Sequence, residues 1–410
     1  MVRFLIENRR WLGTGLLLAF ASSFGQTWFI SLFAGEIRAE YGLSDGQWGA
    51  LYTVATLSSA ALLLSRGSLA DTMALSRLAP LVALVFAGAA AAMALGSAVW
   101  QLGIAVFLLR FCGQGMFSHI AITAMGRWFV AARGRAVAIS GLGYSAGEAL
   151  LPLPAVLLIG WLGWRGGWGL VAGAIALVVT PALMLLLAQD REPAGRAGST
   201  GSAGLGGRHW RRSEVLGHWL FPALIPFLLT PGFIGTVIFF HQVHIAEVKG
   251  WSLAAMAPAY PAYAGVTVTA ALAAGWACDR FGPARLLPIL LIPMGLAMLF
   301  LGATATVWGW VGVLAVLGLT QGMQNAFWGA FLPHVYGTDH LGAVRALTVA
   351  LMVVSTAIGP GLTGLVIDLG VTFPEQGMAL GLWSLALVPL GWAIMRRLGR
   401  EAAAAAPAKA

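Results

Sequence analysis

Charge is the scarcest commodity in this chain. Only 10% of its 410 residues are Asp, Glu, Lys or Arg, against roughly 25% in an ordinary soluble domain. Hydrophobic residues make up 59%, and the mean hydropathy is +0.84. A soluble enzyme of this length would need far more polar surface, so the solvent for most of the chain is lipid. Cysteine is nearly missing too: Cys112 and Cys278 fall in a helix centre and at a helix end, which leaves neither a disulfide framework nor a zinc spacing. No nucleotide-binding motif occurs, so direct use of ATP is not expected and no cofactor or metal is implied.

What is present is apolar runs long enough to cross a bilayer. They fall near 12–35, 48–65, 79–99, 102–124, 136–160, 168–188, 218–245, 253–277, 286–305, 307–333, 344–367 and 377–395. The first run lacks a small-residue cleavage site and is read as a retained helix. The formal charge of +9 then explains itself. With a cytoplasmic N-terminus, 20 of the 24 Lys and Arg residues fall on the inner side; only Arg38, Arg165 and Lys249 fall outside, and Arg110 lies within a span. The basic balance is thus a topology signal with both termini cytoplasmic, in a bacterial-type inner membrane, and not a nucleic-acid footprint.

Residues 191–214 are rich in Gly, Ser and Arg and have no apolar period, which reads as a flexible linker. The expected organisation is an all-α membrane protein of twelve transmembrane helices, in two pseudo-symmetric six-helix bundles, 1–190 and 217–410, joined by a cytoplasmic linker at 191–216. An internal repeat supports it. Gln114-Gly115-Met116 recurs as Gln321-Gly322-Met323, 207 residues on, and the Gly67 to Asp71 stretch GSLAD is echoed by the Gly275 to Asp279 stretch GWACD, 208 residues on.

These loops resemble the Gly-x-x-x-Asp-Arg-x-Gly-x-x-Arg motif of the major facilitator superfamily. The second copy carries Gly275, Asp279, Arg280, Gly282 and Arg285; the first keeps Gly67, Asp71 and Arg77 and lacks the middle Arg and Gly. Arg110 followed by Gly113 and Gly115, the Gly359-Pro360 pair, and the loop from Gly126 to Phe129 followed by Arg133 to Ala136 agree with it. The last of these, with the Gly-rich fifth span, looks most like the monocarboxylate and oxalate/formate branch. The resemblance implies two halves that rock around a central site, with the loop residues as a gate: Asp71 and Asp279 near helix N-termini, and Arg77, Arg280 and Arg285 pairing across the seam.

Ionisable residues inside spans are functional-site hypotheses by default. On a regular helix Arg110 and Gln114 share a face, while His119 points the opposite way. The resemblance implies that Arg110 faces the cavity and helps shape the contact of the fourth span with the first; it is a candidate substrate contact, or a structural partner of Glu148 in the fifth span. The position equivalent to Arg110 in the second half is Leu317, so the bundle itself does not demand the charge. Glu148 is the proton-coupling candidate, because desolvation disfavours the charged form of a carboxylate and lets it load and release a proton as access alternates. Further candidates at cavity depth are Gln26 and Trp28, Tyr260 and Tyr263, and Gln324, Asn325 and Trp328. His119 reads as a packing residue, and His241 with His244 as interfacial histidines.

The stretch from Gly143 to Gly147, GYSAG, matches the nucleophile elbow of serine hydrolases. That elbow needs a strand, a turn and a helix, whereas Ser145 lies in an apolar helix. A receptor built on a transporter fold would normally carry an appended soluble domain, and the tails here are short. The expectation is therefore a monomeric secondary transporter, not an enzyme. It would move a small organic solute by symport with protons, with an anionic metabolite such as a monocarboxylate as the substrate. The alternative is a proton-driven exporter of amphipathic or drug-like compounds.

Overall fold

The computed structural model describes residues 2–129, 132–189 and 203–405. Among the described residues every regular element is helical. The first span, α1, is broken: Arg9–Gly25 and Thr27–Tyr41 meet at an angle of 45°. Three helices follow: α2 (Asp45–Arg66), α3 (Leu75–Leu95) and α4 (Val99–Trp128). The fifth, α5, begins as Arg133–Leu150 and is continued by residues 152–162. At Gly163, with φ 68° and ψ 170°, the chain reverses, and residues 164–186 form α6. A side chain is strained in that backbone region, so glycine marks the hairpin.

The second half contains α7 (Leu220–Phe240), α8 (Ala259–Phe281), α9 (Pro283–Ala303), α10 (Val307–Tyr336), α11 (Leu341–Asp368) and α12 (Phe373–Glu401). By length and composition alone, eight helices among the described residues, or nine with the bent α1, can cross a membrane. The less apolar α5, α8 and α10, which carry Glu148, Tyr263 and Gln321, complete an all-α membrane protein of twelve helices in two bundles.

An even number of crossings brings the start of α1, the end of α6, the start of α7 and the end of α12 to one end of the bundle, here the proximal end. The opposite, distal end carries the α1–α2 and α11–α12 turns. Within the halves α1 packs on α5, α8 on α10, α7 on α11 and α9 on α12; across the halves α2 packs on α11 and α5 on α8. Small residues permit this approach. A Cβ on Gly361 would meet the Thr53 hydroxyl at 2.8 Å, and Gly364 abuts Asp45 and Gly46. Gly143 and Gly147 likewise abut Leu16 and Ser23 of α1, so GYSAG is a packing face and Ser145 sits mid-helix without an elbow.

The flexible linker needs a correction. Its part from 191 to 202 lies outside the described residues, but the rest is bound to the second half. Trp210 N–H donates to Tyr336 O at 3.0 Å, Thr338 N–H donates to His209 Nδ1 at 3.3 Å, and Arg208 stacks over the Trp210 ring at 3.9 Å. Aromatic and cationic side chains that find partners override a loop-like composition.

Candidate functional site

The break in α1 organises the centre of the molecule. Gln26 takes an extended conformation (φ −80°, ψ 152°) between the two helical pieces. Breaking a helix inside lipid frees carbonyls that water cannot satisfy, so protein groups must. Arg110 supplies them. Its guanidinium, 3% exposed, donates to Gly25 O and to Thr27 Oγ1, each at 3.2 Å, and lies 5.2 Å from the Tyr52 ring centroid. Tyr52 also donates to Thr27 Oγ1, at 2.8 Å. A cation at the C-terminal end of a helix is favoured by its dipole as well.

The opposing stretch of α4 is itself irregular, being π-helical from Arg110 to Phe117. Backbones touch at this crossing. A Cβ on Gly113 would stand 2.7 Å from the Gly25 Cα and 2.7 Å from Phe86. Arg110 reaches α1, whereas Gln114 reaches the cavity between the halves.

That cavity measures about 190 Å³. The α1 break gives it Gln26, Thr27 and Trp28; Gln114 and Glu148 come from α4 and α5; the second half adds Thr236 and Phe239 of α7, Tyr263 of α8, Gln321 and Gln324 of α10, and Thr356 of α11. Gln324 Nε2 donates to Gln321 Oε1 at 2.9 Å. Glu148 makes no hydrogen bond or ion pair with a described residue, the buried Gln114 Oε1 has no partner, and the amide nitrogens of Gln26, Gln114 and Gln321 are open as well. None of the lining residues is Lys, Arg or His.

The wall is closed on the distal side. Gln242, just past α7, donates from Nε2 to Trp28 O and to Ser31 Oγ, both at 2.8 Å, and accepts from the Tyr260 hydroxyl. Ser31 Oγ donates to Phe239 O at 2.6 Å. Farther out, Arg38 pairs with Asp45 and, at 3.2 Å, with Glu247 across the halves. Asp368 Oδ2 at the end of α11 accepts from Ser44 Oγ at 2.6 Å and from Gly46 N–H at 3.0 Å, so one half caps a helix of the other. His241 Nε2 lies 2.8 Å from Thr363 Oγ1, and His244 Nδ1 lies 3.6 Å from Asp45.

Twelve helices in two bundles around a polar cavity suggest a membrane transporter, and sequence comparison decides the family. The model of the Major Facilitator Superfamily matches residues 15–360. The chain belongs to this superfamily. As a superfamily member it is a transporter and not an enzyme. No curated protein is significantly similar to it in sequence. The fold is shared with a bacterial homologue of the human lysosomal transporter Spinster, solved inward-facing and unoccupied, at TM-score 0.62 and 18% identity, over 96% of this chain and 95% of that one. It is shared also with the nucleoside transporter NupG, at TM-score 0.67 and 12% identity, over 94% of this chain and 99% of that one.

The superfamily member gathers six of the expected cavity residues: Gln26, Trp28, Gln114, Glu148, Tyr263 and Gln324. Five expectations are corrected. Arg110 is outside the cavity wall and pairs with carbonyl and hydroxyl oxygens, not with Glu148. Tyr260 belongs to the distal closure through Gln242, Asn325 is exposed on another face of α10, and Trp328 packs against Phe327 and Phe331. His241 and His244 are not interfacial but lie in the seam between the halves, beside Asp45.

The gating loops also differ from expectation. Arg77, Asp279, Arg280 and Arg285 are exposed and make no ion pair among the described residues, and the side chain of Asp71 lies outside them. The cross-seam bonds sit at the distal end instead, which leaves the proximal charges facing solvent. Gly67 accepts from or donates to no loop charge; its carbonyl lies 3.1 Å from His119 Nε2. Gly275 has open space around it, while Gly282, at φ 81°, makes the turn from α8 into α9. Gln321 was missed, although the QGM repeat pairs it with Gln114. Gln242 and Asp368 carry no sequence signal, since each is defined by a partner in the other half.

Proposed function

We propose that this transporter moves a small amine or other donor-rich cationic solute by alternating access, and that Glu148 exchanges protons for it. The observation that carries the reading is Glu148: a carboxylate with no partner in a wall whose lining residues include no cation, so that the one ionisable acid of the cavity lacks a counter-charge. A monocarboxylate would leave a negative charge opposite Glu148 with nothing to offset it, and a buried unpaired charge is costly. Trp28, Phe239 and Tyr263 suit the apolar part of an amphipathic amine. The volume, equal to the liquid share of about six water molecules, limits the solute to a small one.

In this reading the halves 1–190 and 217–410 rock as units about the cavity, with 191–216 between them, in a protein that works as a single chain. The distal closure marks a state open to the proximal side. The surplus of basic residues at that end supports a cytoplasmic placement for it. Glu148 then serves proton and solute in turn.

The test uses protein in liposomes, with primary and quaternary amines, polyols and monocarboxylates as solutes. An amine should accumulate against its gradient when the interior is made acidic, and not when it is made alkaline. Glu148→Gln should abolish that accumulation, by at least tenfold, while counterflow persists. Accumulation of carboxylates only, or proton-driven amine movement in Glu148→Gln, would overturn the reading.

A further inference from the structure

A second cavity opens on the lipid-facing surface, away from the central one. It is a groove of about 470 Å³ between α8, α9 and α10, lined by Ala270, Ala273, Trp276, Leu319 and Met323 among others, and by Arg285. From Ala270 to Phe281 it follows α8 for eleven residues, about 16 Å at the helical rise. That is about half the thickness of a bilayer core. The groove therefore runs from the proximal membrane surface to mid-membrane, the depth of one leaflet.

Its proximal rim is unlike the rest. Arg285 and Arg280 flank the Gly282 turn, both exposed, and neither guanidinium bonds to a described residue. Trp276, 64% exposed, meets Phe281 edge-to-face at 5.6 Å, as aromatic rings do at the headgroup level. The comparable grooves on α2 with α4, and on α7 with α11 and α12, have no charged lining residue. An apolar slot of leaflet depth with unpaired cations at its mouth matches a lipid acyl chain below an anionic headgroup.

We propose that this groove is a binding site for an anionic phospholipid, with one acyl chain against Ala273 and Leu319 and its phosphate on Arg285 and Arg280. The assignment is independent of the transported solute. Arg on phosphate is favoured by paired, charge-assisted hydrogen bonds, and the chain is held by burial of apolar surface.

Native mass spectrometry of the full chain tests it, with mixed micelles of phosphatidylglycerol and phosphatidylcholine of matched chains, and with glycerol 1-phosphate as the headgroup alone. Phosphatidylglycerol should be retained about tenfold over phosphatidylcholine. The double variant Arg280→Gln and Arg285→Gln should lose that preference. Ala273→Phe, at an exposed position, fills the groove without touching the cations and should reduce retention of both lipids. Unchanged retention in either variant overturns the site, as does competition by glycerol 1-phosphate as effective as that of the whole lipid.

Discussion

The two halves answer one problem differently. Both send their first helix past the cavity, but α1 breaks at Gln26 whereas α7 runs unbroken from Leu220 to Phe240. Where the first half buries Arg110 in a π-helical turn of α4, the repeat puts Leu317, 1% exposed, in the regular helix α10. The difference teaches that the buried cation belongs to the break and not to the bundle. A broken helix presents Gln26, Thr27 and Trp28 to the cavity at the cost of freed carbonyls, and Arg110 satisfies them from behind. The second half fills its share of the wall with side chains of regular helices and needs no cation.

Exchanging these residues is the strongest way to break the comparison. Arg110→Leu should leave the buried Gly25 O short of a donor, at about 1–3 kcal/mol, while Thr27 keeps the Tyr52 hydroxyl. The reciprocal Leu317→Arg puts a charge where no freed carbonyl awaits it, which costs roughly 2.5–3.5 kcal/mol in a span centre. Thermal unfolding in detergent should show both variants far below the parent. An Arg110→Leu protein that unfolds with the parent would mean that the break in α1 holds itself.

A smaller effect sharpens the same contrast at the glycines. In Gly113→Ala the new methyl group meets Gly25 and Phe86 at 2.7 Å, and overpacking of this kind costs about 1–3 kcal/mol. Gly329 in α10 has nothing within 4 Å, so Gly329→Ala should be neutral or gain slightly from helix propensity. The pair measured side by side separates a backbone crossing from a spare glycine. Equal unfolding temperatures would place no special demand on the α1–α4 crossing.

Helix number and the two-bundle plan were legible because lipid imposes long apolar runs, and because Gly163 and the linker interrupt them. Polar residues inside such runs stand out for the same reason, which is how Gln26, Gln114, Glu148 and Gln324 could be picked. The resemblance pointed Arg110 at the contact of the fourth span with the first, but its bonding partners there were not legible. Its partners are a backbone carbonyl and a threonine, which leave no pattern. The distal seam was equally hidden. Asp45, His241, His244 and Asp368 lie at helix ends, where a charge in sequence reads as solvated; only the approach of α11 to α2 turns them into one cluster.

The mildest of these perturbations concerns that seam, where the halves contribute unequally. Asp368 of the second half caps the N-terminus of α2 in the first, accepting from Ser44 and from the Gly46 amide, and loss of a cap is worth about 1 kcal/mol. Since the cap exists only while the distal end is closed, Asp368→Ala should weaken the closed state and not the fold. A shift of 1 kcal/mol changes the ratio of distal-closed to distal-open molecules about fivefold. Spin labels at Leu95 and Trp308, both exposed near the distal end of their halves, report that ratio as a distance distribution. The longer distance should gain population in Asp368→Ala while the unfolding temperature stays near that of the parent. An unchanged distribution would mean that the Arg38, Asp45 and Glu247 cluster closes the distal end without the cap.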